Sequence, residues 1–246
     1  MPLIEEAPVQ IRVLAKKSVE RLAFFVPKNN RGATGMGGRG SGSTSGGASG
    51  GLNPGDIVST TSLISERERH KEEVDATLTV LRDIQEQYGV NLEDAQIATF
   101  KGAGRRAMGY YDAGGNLAIN VNYFNSERMN SAYDDCVANG FHPSRGSKSG
   151  IEAVVAHEMG HRLTDIAGVN AGKGTWQLDS TARDIVSNAA KASGSRSVRK
   201  FMAKVSGYAA GDYAEAVAEA FADVYCNKGR AKSASKAIVK ELNKYF

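Results

Sequence analysis

His157-Glu158-Met159-Gly160-His161, set within the stretch from Ser149 to Gly168, is the segment on which the reading of this chain turns. Ile151, Val154, Val155 and Leu163 recur at helical spacing, Ser149 and Gly150 stand at a natural opening, and Gly168 stands at a natural stop, so a helix is predicted over Ile151 to Ala167. On a helix, residues four apart share a face, and two imidazoles so placed reach one metal ion. Glu158 then projects beside that ion, where a carboxylate can take a proton from a metal-bound water whose pKa has fallen to about 7. Gly160 is the weak helix former of the stretch, at a cost of ~1 kcal/mol. The chain has only four histidines, so chance is a poor source for this spacing.

A catalytic zinc site takes three protein ligands and keeps a fourth position for water. His70 lies in the charged run from Glu66 to Glu73 and reads as a solvated helix residue. His142 precedes Pro143 in a loop and reads at most as a cleft-lining residue. Cys136 and Cys226 show no paired spacing. Carboxylates remain, and Glu215, Glu219 and Asp223 follow one another at one-turn intervals in the alanine-rich segment Asp212 to Asp223. No lysine or arginine occurs from Asp212 to Tyr225, and carboxylates in so apolar a helix are costly unless paired or metal-bound. Two assignments fit: Glu215 as ligand with Glu219 behind it, or Glu219 as ligand with Asp223 behind it. Supporting acids are expected, because a ligating histidine usually donates its other ring proton to one.

Upstream, Val74, Leu78, Leu81, Ile84 and Tyr88 share a face and predict a helix from Ser65 to Tyr88, ended by Gly89. Gln96 to Phe100, Ala107 to Asp112 and Asn116 to Val121 read as short strands, the last two joined as a hairpin through Ala113 to Asn116. A helix is predicted from Ser126 to Ala138, and helices with loops after Gly150. A small N-terminal sheet followed by a mainly helical part makes an α+β domain. Tyr110 and Tyr111 read as sheet packing.

The chain has 246 residues, 41% of them hydrophobic, enough for one substantial core over residues 57–246. Gly32 to Gly51 is rich in glycine and serine, so residues 29–56 are predicted to be a flexible linker. Residues 1–28 form a short basic and apolar N-terminal segment with too few apolar residues for a core of its own, suited to docking on its own domain or on an assembly. No apolar run is long enough to cross a membrane, and no signal segment is evident. Two cysteines without framework spacing suit a reducing cytoplasm. The net charge of +4 is modest, and nucleic acid is not indicated beyond weakly basic flanks such as Arg12 to Arg31 and Lys232 to Lys244.

The combination of His157-Glu158-Met159-Gly160-His161 with Asp165-Ile166-Ala167-Gly168, Tyr208, and Glu215-Ala216-Val217-Ala218-Glu219-Ala220-Phe221 resembles the gluzincin zinc metallopeptidases, most of all the catalytic domain of the anthrax lethal factor type. That resemblance implies a zincin-like fold and a zinc metalloendopeptidase. His157, His161 and Glu215 would hold Zn2+, Glu219 would support them, Glu158 would be the general base, and Tyr208 would donate to the oxyanion. It also implies an edge strand before the zinc helix that receives the substrate backbone, and Leu117, Ala118 and Ile119 are the candidates. The stretch from His161 to Tyr208 is longer than in the toxin, and specificity is expected from a loop at Ala171 to Ser193. Asn116 to Asn120, Tyr123-Phe124-Asn125 and Gly140-Phe141-His142-Pro143, taken with the two helices, are similar to metallopeptidase-like domains of phage and prophage minor head proteins. The setting implied is a bacterial host cytoplasm or a virion, with a protein or peptide substrate and capsid or head proteins as partners. The alternatives are a non-catalytic minor head protein with a zinc-stabilised domain and a toxin or effector protease.

Overall fold

The computed structural model describes residues 21–25 by their backbone, and residues 56–90, 95–112, 115–174 and 178–246. The readings of 1–28 as a head and 29–56 as a linker lie outside the described residues, apart from Arg21–Phe25 and Asp56.

The described residues fold as α+β: a five-stranded sheet followed by helices. The strands are β1 (Arg21–Phe25), β2 (Ile57–Ser62), β3 (Gln96–Phe100), β4 (Ala107–Asp112) and β5 (Leu117–Asn120), in the order β1-β4-β5-β3-β2. β3 and β5 run parallel, and the other neighbours are antiparallel. The β4–β5 hairpin forms as expected, with Gly115 at φ +83°, a left-handed conformation that glycine adopts without steric cost.

The helices are α1 (Lys71–Tyr88), α2 (Ser126–Ala138), α3 (Gly150–Asn170), α4 (Leu178–Ala192), α5 (Val198–Met202), α6 (Tyr213–Asn227) and α7 (Ser233–Leu242). α1 begins after His70, not at Ser65, because the charged run before it offers no apolar stripe; Ile64–Glu66 is only a 3-10 turn. Gly89 ends α1 in the left-handed region, as read from the sequence. α3 runs through Gly168 to Asn170, since Gly168 is buried within the helix and Gly172, at φ +72°, takes the left-handed turn beyond it.

α3 is the hub. It is buried on nearly every side, as a helix with apolar residues all round must be, and packs against α1, α2, α4, α6 and β4. The main core lies between it, the inner sheet face and the other helices. A smaller cluster of Ala98, Phe100, Ala107, Tyr110 and Ala118 covers the outer sheet face. Tyr110 packs there on Phe100, ring centroids 5.7 Å apart. Tyr111 points to the opposite face, as alternation along a strand requires. There its hydroxyl accepts from Arg162 Nη1 at 3.1 Å and donates to Asp165 Oδ2 at 3.4 Å, tying the sheet to α3.

Two expectations are corrected. β5 is not an edge strand: it is hydrogen-bonded to β4 on one side and β3 on the other, and Leu117, Ala118 and Ile119 are buried, so none of them is free to receive a substrate backbone. Ala171 to Ser193 is not a loop, because Leu178–Ala192 buries Leu178, Ala182, Ile185, Val186 and Ala189 at helical spacing as α4.

Candidate metal centre

Local sequence sets both halves of the centre. Ser149 caps α3 by accepting from Glu152 N at 3.2 Å, while Glu152 Oε2 accepts from Ser149 N at 2.7 Å, a reciprocal capping box. Asp212 caps α6 by accepting from Ala214 N at 2.7 Å and Glu215 N at 3.2 Å, which places Glu215 in the first turn. The helices meet at Gly160 and Ala218. A Cβ on Gly160 would lie 2.7 Å from Ala218 Cα and 3.2 Å from Phe221 Cβ, so the weak helix former is where the backbones approach too closely for any side chain.

That approach brings His157, His161 and Glu215 together. One donor atom of each lies within 4.8 Å of the others, and the residues are 0%, 0% and 1% exposed. Glu215 Oε2 is 3.2 Å from His157 Nε2 and 3.5 Å from His161 Nε2. His161 Nε2 and Glu215 Oε2 are buried and make no well-formed hydrogen bond among the described residues. Two imidazoles and a carboxylate converging on one point are the donor set of a zinc site, and they fit a divalent cation.

Glu219 sits one turn behind. Its Oε1 lies 2.9 Å from His157 Nδ1 and 3.0 Å from His142 Nδ1, and its Oε2 accepts from Ser206 Oγ at 2.6 Å. The geometry therefore separates the two acids that spacing left open: Glu215 faces the ring nitrogens that face each other, and Glu219 holds His157 from the far side. Asp223 does neither. It accepts from Asn227 Nδ2 at 2.8 Å and Lys232 N at 2.9 Å, bracing the end of α6.

Burial by itself would keep both acids protonated. For Glu215 the attraction of His161 and His157 outweighs it, and for Glu219 that of His142 and His157, so each carboxyl falls to about 2. Burial also opposes charge on His157, but the adjoining carboxylates of Glu215 and Glu219 push it up to about 10. His161 moves the other way: burial lowers it and leaves a neutral ring with a lone pair to give.

Glu158 is fully buried beside this group, on the sheet side. A Cβ at Gly109 of β4 would lie 3.1 Å from Glu158 Oε1 and 3.0 Å from Val154 Cγ1, so the absence of a side chain at Gly109 makes room for the carboxylate. Tyr208 is half-buried, lies over His157 at 6.2 Å between ring centroids, and donates to Glu215. Burial first, then the carboxylates of Glu215, Glu158 and Glu219, hold its phenol far above the usual range, so it stays a donor at any ordinary pH. Its loop is pinned by Gly207 N to Gly140 O at 2.9 Å and Tyr208 N to Phe141 O at 3.1 Å.

The structure thus brings His157, Glu158, His161, Tyr208, Glu215 and Glu219 together and leaves Leu117, Ala118 and Ile119 within the sheet. Sequence reasoning missed His142, Ser206 and Gly109. His142 is buried between Tyr133 and Tyr208 and braces Glu219 from a loop 77 positions away. The histidine in Gly140-Phe141-His142-Pro143 was the available signal, but no local pattern names its partner. Among known proteins, no family model matches the chain, and no curated protein and no solved structure matches it significantly. Among the described residues, no helix is long and apolar enough to cross a membrane.

Proposed function

We propose that this chain is a zinc-dependent metalloendopeptidase of the gluzincin type, with a zincin-like domain, acting on a protein or peptide substrate in a phage or prophage head setting. The observation that carries the reading is the convergence of His157, His161 and Glu215 donor atoms within 4.8 Å, with Glu158 buried alongside. When bound there, zinc would polarise the scissile carbonyl and acidify a water. Glu158 takes the proton of the attacking water and delivers it to the leaving amine. Tyr208, held neutral, donates a hydrogen bond to the oxygen on which negative charge develops. Glu219 accepts the Nδ1 proton of His157 and so fixes the tautomer that presents Nε2 to the cation. The head-protein setting is supported only by the sequence resemblance.

The test is Glu158→Gln. The variant should retain stoichiometric zinc by elemental analysis and lose hydrolysis, read as new termini by mass spectrometry after incubation with a proteome and with purified capsid proteins. Undiminished cleavage by the variant would remove Glu158 from the base role. One observation favours the second reading, a structural zinc in a non-catalytic head protein: the three ligands and Glu158 are all 0–1% exposed. That reading predicts no new termini from either protein and a loss of fold when zinc is stripped.

A further inference from the structure

A buried carboxylate beside a metal centre needs a route for substrate, and the sheet topology points to one edge. β4 lies on α3, and its Gly109 faces Glu158. The inner edge of β4 is taken by β5, which is itself held on its other side by β3. The other free edge of the sheet, β2, is separated from β4 by β3 and β5. With β5 holding the inner edge, the outer edge of β4 is the remaining place where a neighbouring backbone comes within one strand spacing, about 4.8 Å, of Gly109.

That edge is occupied by the chain itself. β1 pairs antiparallel with β4, with Phe24 opposite Gly109, Ala23 opposite Tyr110 and Leu22 opposite Tyr111, and it also touches α3. At the site the register slips: Phe24 pairs with Gly109 but Phe25 with Ala107, so Met108 is skipped. Irregular pairing of this kind is common beside functional sites and weakens a ladder. β1 has five residues and, among the described residues, one strand neighbour. In sequence it is separated from β2 by residues 26–56, which carry the glycine-rich and serine-rich run, so leaving the edge strains no short connection.

We propose that Arg21–Phe25 of the same chain is an internal occupant of the outer edge of β4, screening Glu158 until an extended peptide displaces it from that docking edge. The assignment of that peptide as substrate rests on the peptidase reading; the docking edge does not. Backbone hydrogen bonds along β4 supply the affinity, as in other strand additions. An internal strand competes at high effective concentration, so the edge stays closed to weak ligands.

The test uses the full chain, zinc-loaded, with Leu22→Pro/Ala23→Pro. Successive residues of an edge strand alternate between facing the neighbour and facing away, so one of the two prolines removes a donor to β4. Three quantities are read: amide exchange over Met108–Asp112 by mass spectrometry, anisotropy of a labelled peptide carrying residues 19–27, and hydrolysis of fluorescent casein. We expect faster β4 exchange, peptide binding at least about tenfold tighter than to the wild-type chain, and casein hydrolysis raised by a similar factor and suppressed by the peptide. Unchanged exchange and unchanged peptide binding overturn the proposal, as does an opened β4 edge with hydrolysis no higher than that of a wild-type chain that itself cleaves casein. Peptide binding gained while neither protein cleaves casein upholds the docking edge and sinks the peptidase reading. If the double variant fails to fold, a full chain with a specific protease site inserted at Ser45 and cut after folding gives the same readouts without altering β1. Retention of protected β4 amides after the cut strand has been diluted away would then refute occupancy.

Discussion

Gly160→Ala separates two physical effects that point in opposite directions. Helix propensity alone says that alanine stabilises α3 by ~1 kcal/mol. Packing says otherwise, because the new methyl would stand 2.7 Å from Ala218 Cα and 3.3 Å from Ala218 Cβ, and carbon atoms in contact rest at about 3.5–4.0 Å. The atoms it meets belong to the backbone and first side-chain carbons of α6, which cannot rotate aside. Relief therefore requires α3 and α6 to part by on the order of 1 Å at that level. Overpacking of this sort costs about 1–3 kcal/mol, so the propensity gain is cancelled or exceeded. The metal centre should suffer more than the fold. Glu215 reaches His157 and His161 across the same contact at 3.2 and 3.5 Å, whereas metal–ligand lengths tolerate only about 0.2 Å. We expect zinc affinity, measured by competition with a chromophoric chelator, to fall at least about tenfold, with the metal-free melting temperature unchanged or lower. A variant that melts higher and binds zinc as tightly as the wild type would refute the close-packing account.

Glu219→Gln should weaken zinc binding by about 10- to 100-fold without abolishing it, whereas Glu215→Ala should abolish it; equal losses in the same chelator titration would contradict their separate roles. Tyr208→Phe should leave zinc content unchanged and lower kcat by about a hundredfold with little change in KM, in a steady-state assay on whichever peptide is cleaved. Glu152→Ala should cost about 1 kcal/mol at neutral pH, through the lost capping box and the 2.8 Å contact with Lys148. Burial raises the Glu152 carboxyl, but hydrogen bonds from Lys148 and Ser149 outweigh it and leave it below its ordinary value of 4.5. Its stabilisation is thus complete above the ordinary value and is lost as pH falls through the lowered one, so the melting curves of variant and wild type should converge in acid. A gap that persists unchanged into strong acid, well below the ordinary carboxyl range, would be inconsistent with an ionised cap.

Much of the site was legible because its chemistry is local. His157 and His161 share a face at any time α3 is helical, and the same holds for Glu215 and Glu219 on α6. Gly160 was legible only as a defect; its purpose is the 2.7 Å approach to Ala218, a fact about a second helix. His142 and Ser206 were illegible as supports, since their common partner Glu219 lies 77 and 13 positions away on another element. The strand segments of the β4–β5 hairpin were readable from alternation and turn residues, but their place in the sheet was not.

Sequence alone specified the helices α2, α3 and α6 and the end of α1, the spacing of two histidines and two glutamates, the opening of α3 at Ser149, and the α+β order of elements. These follow from periodicities of two and 3.6 residues and from side chains reaching backbone within a few positions. Only folding in three dimensions decided that Glu215 faces both histidines while Glu219 backs His157, that β5 is internal, and that β1 lies along β4 with Phe24 opposite Gly109. They include pairings across 62 positions, from His157 to Glu219, and 91, from Arg21 to Asp112, set by which surfaces pack best once the elements exist, and no local spacing carries that information.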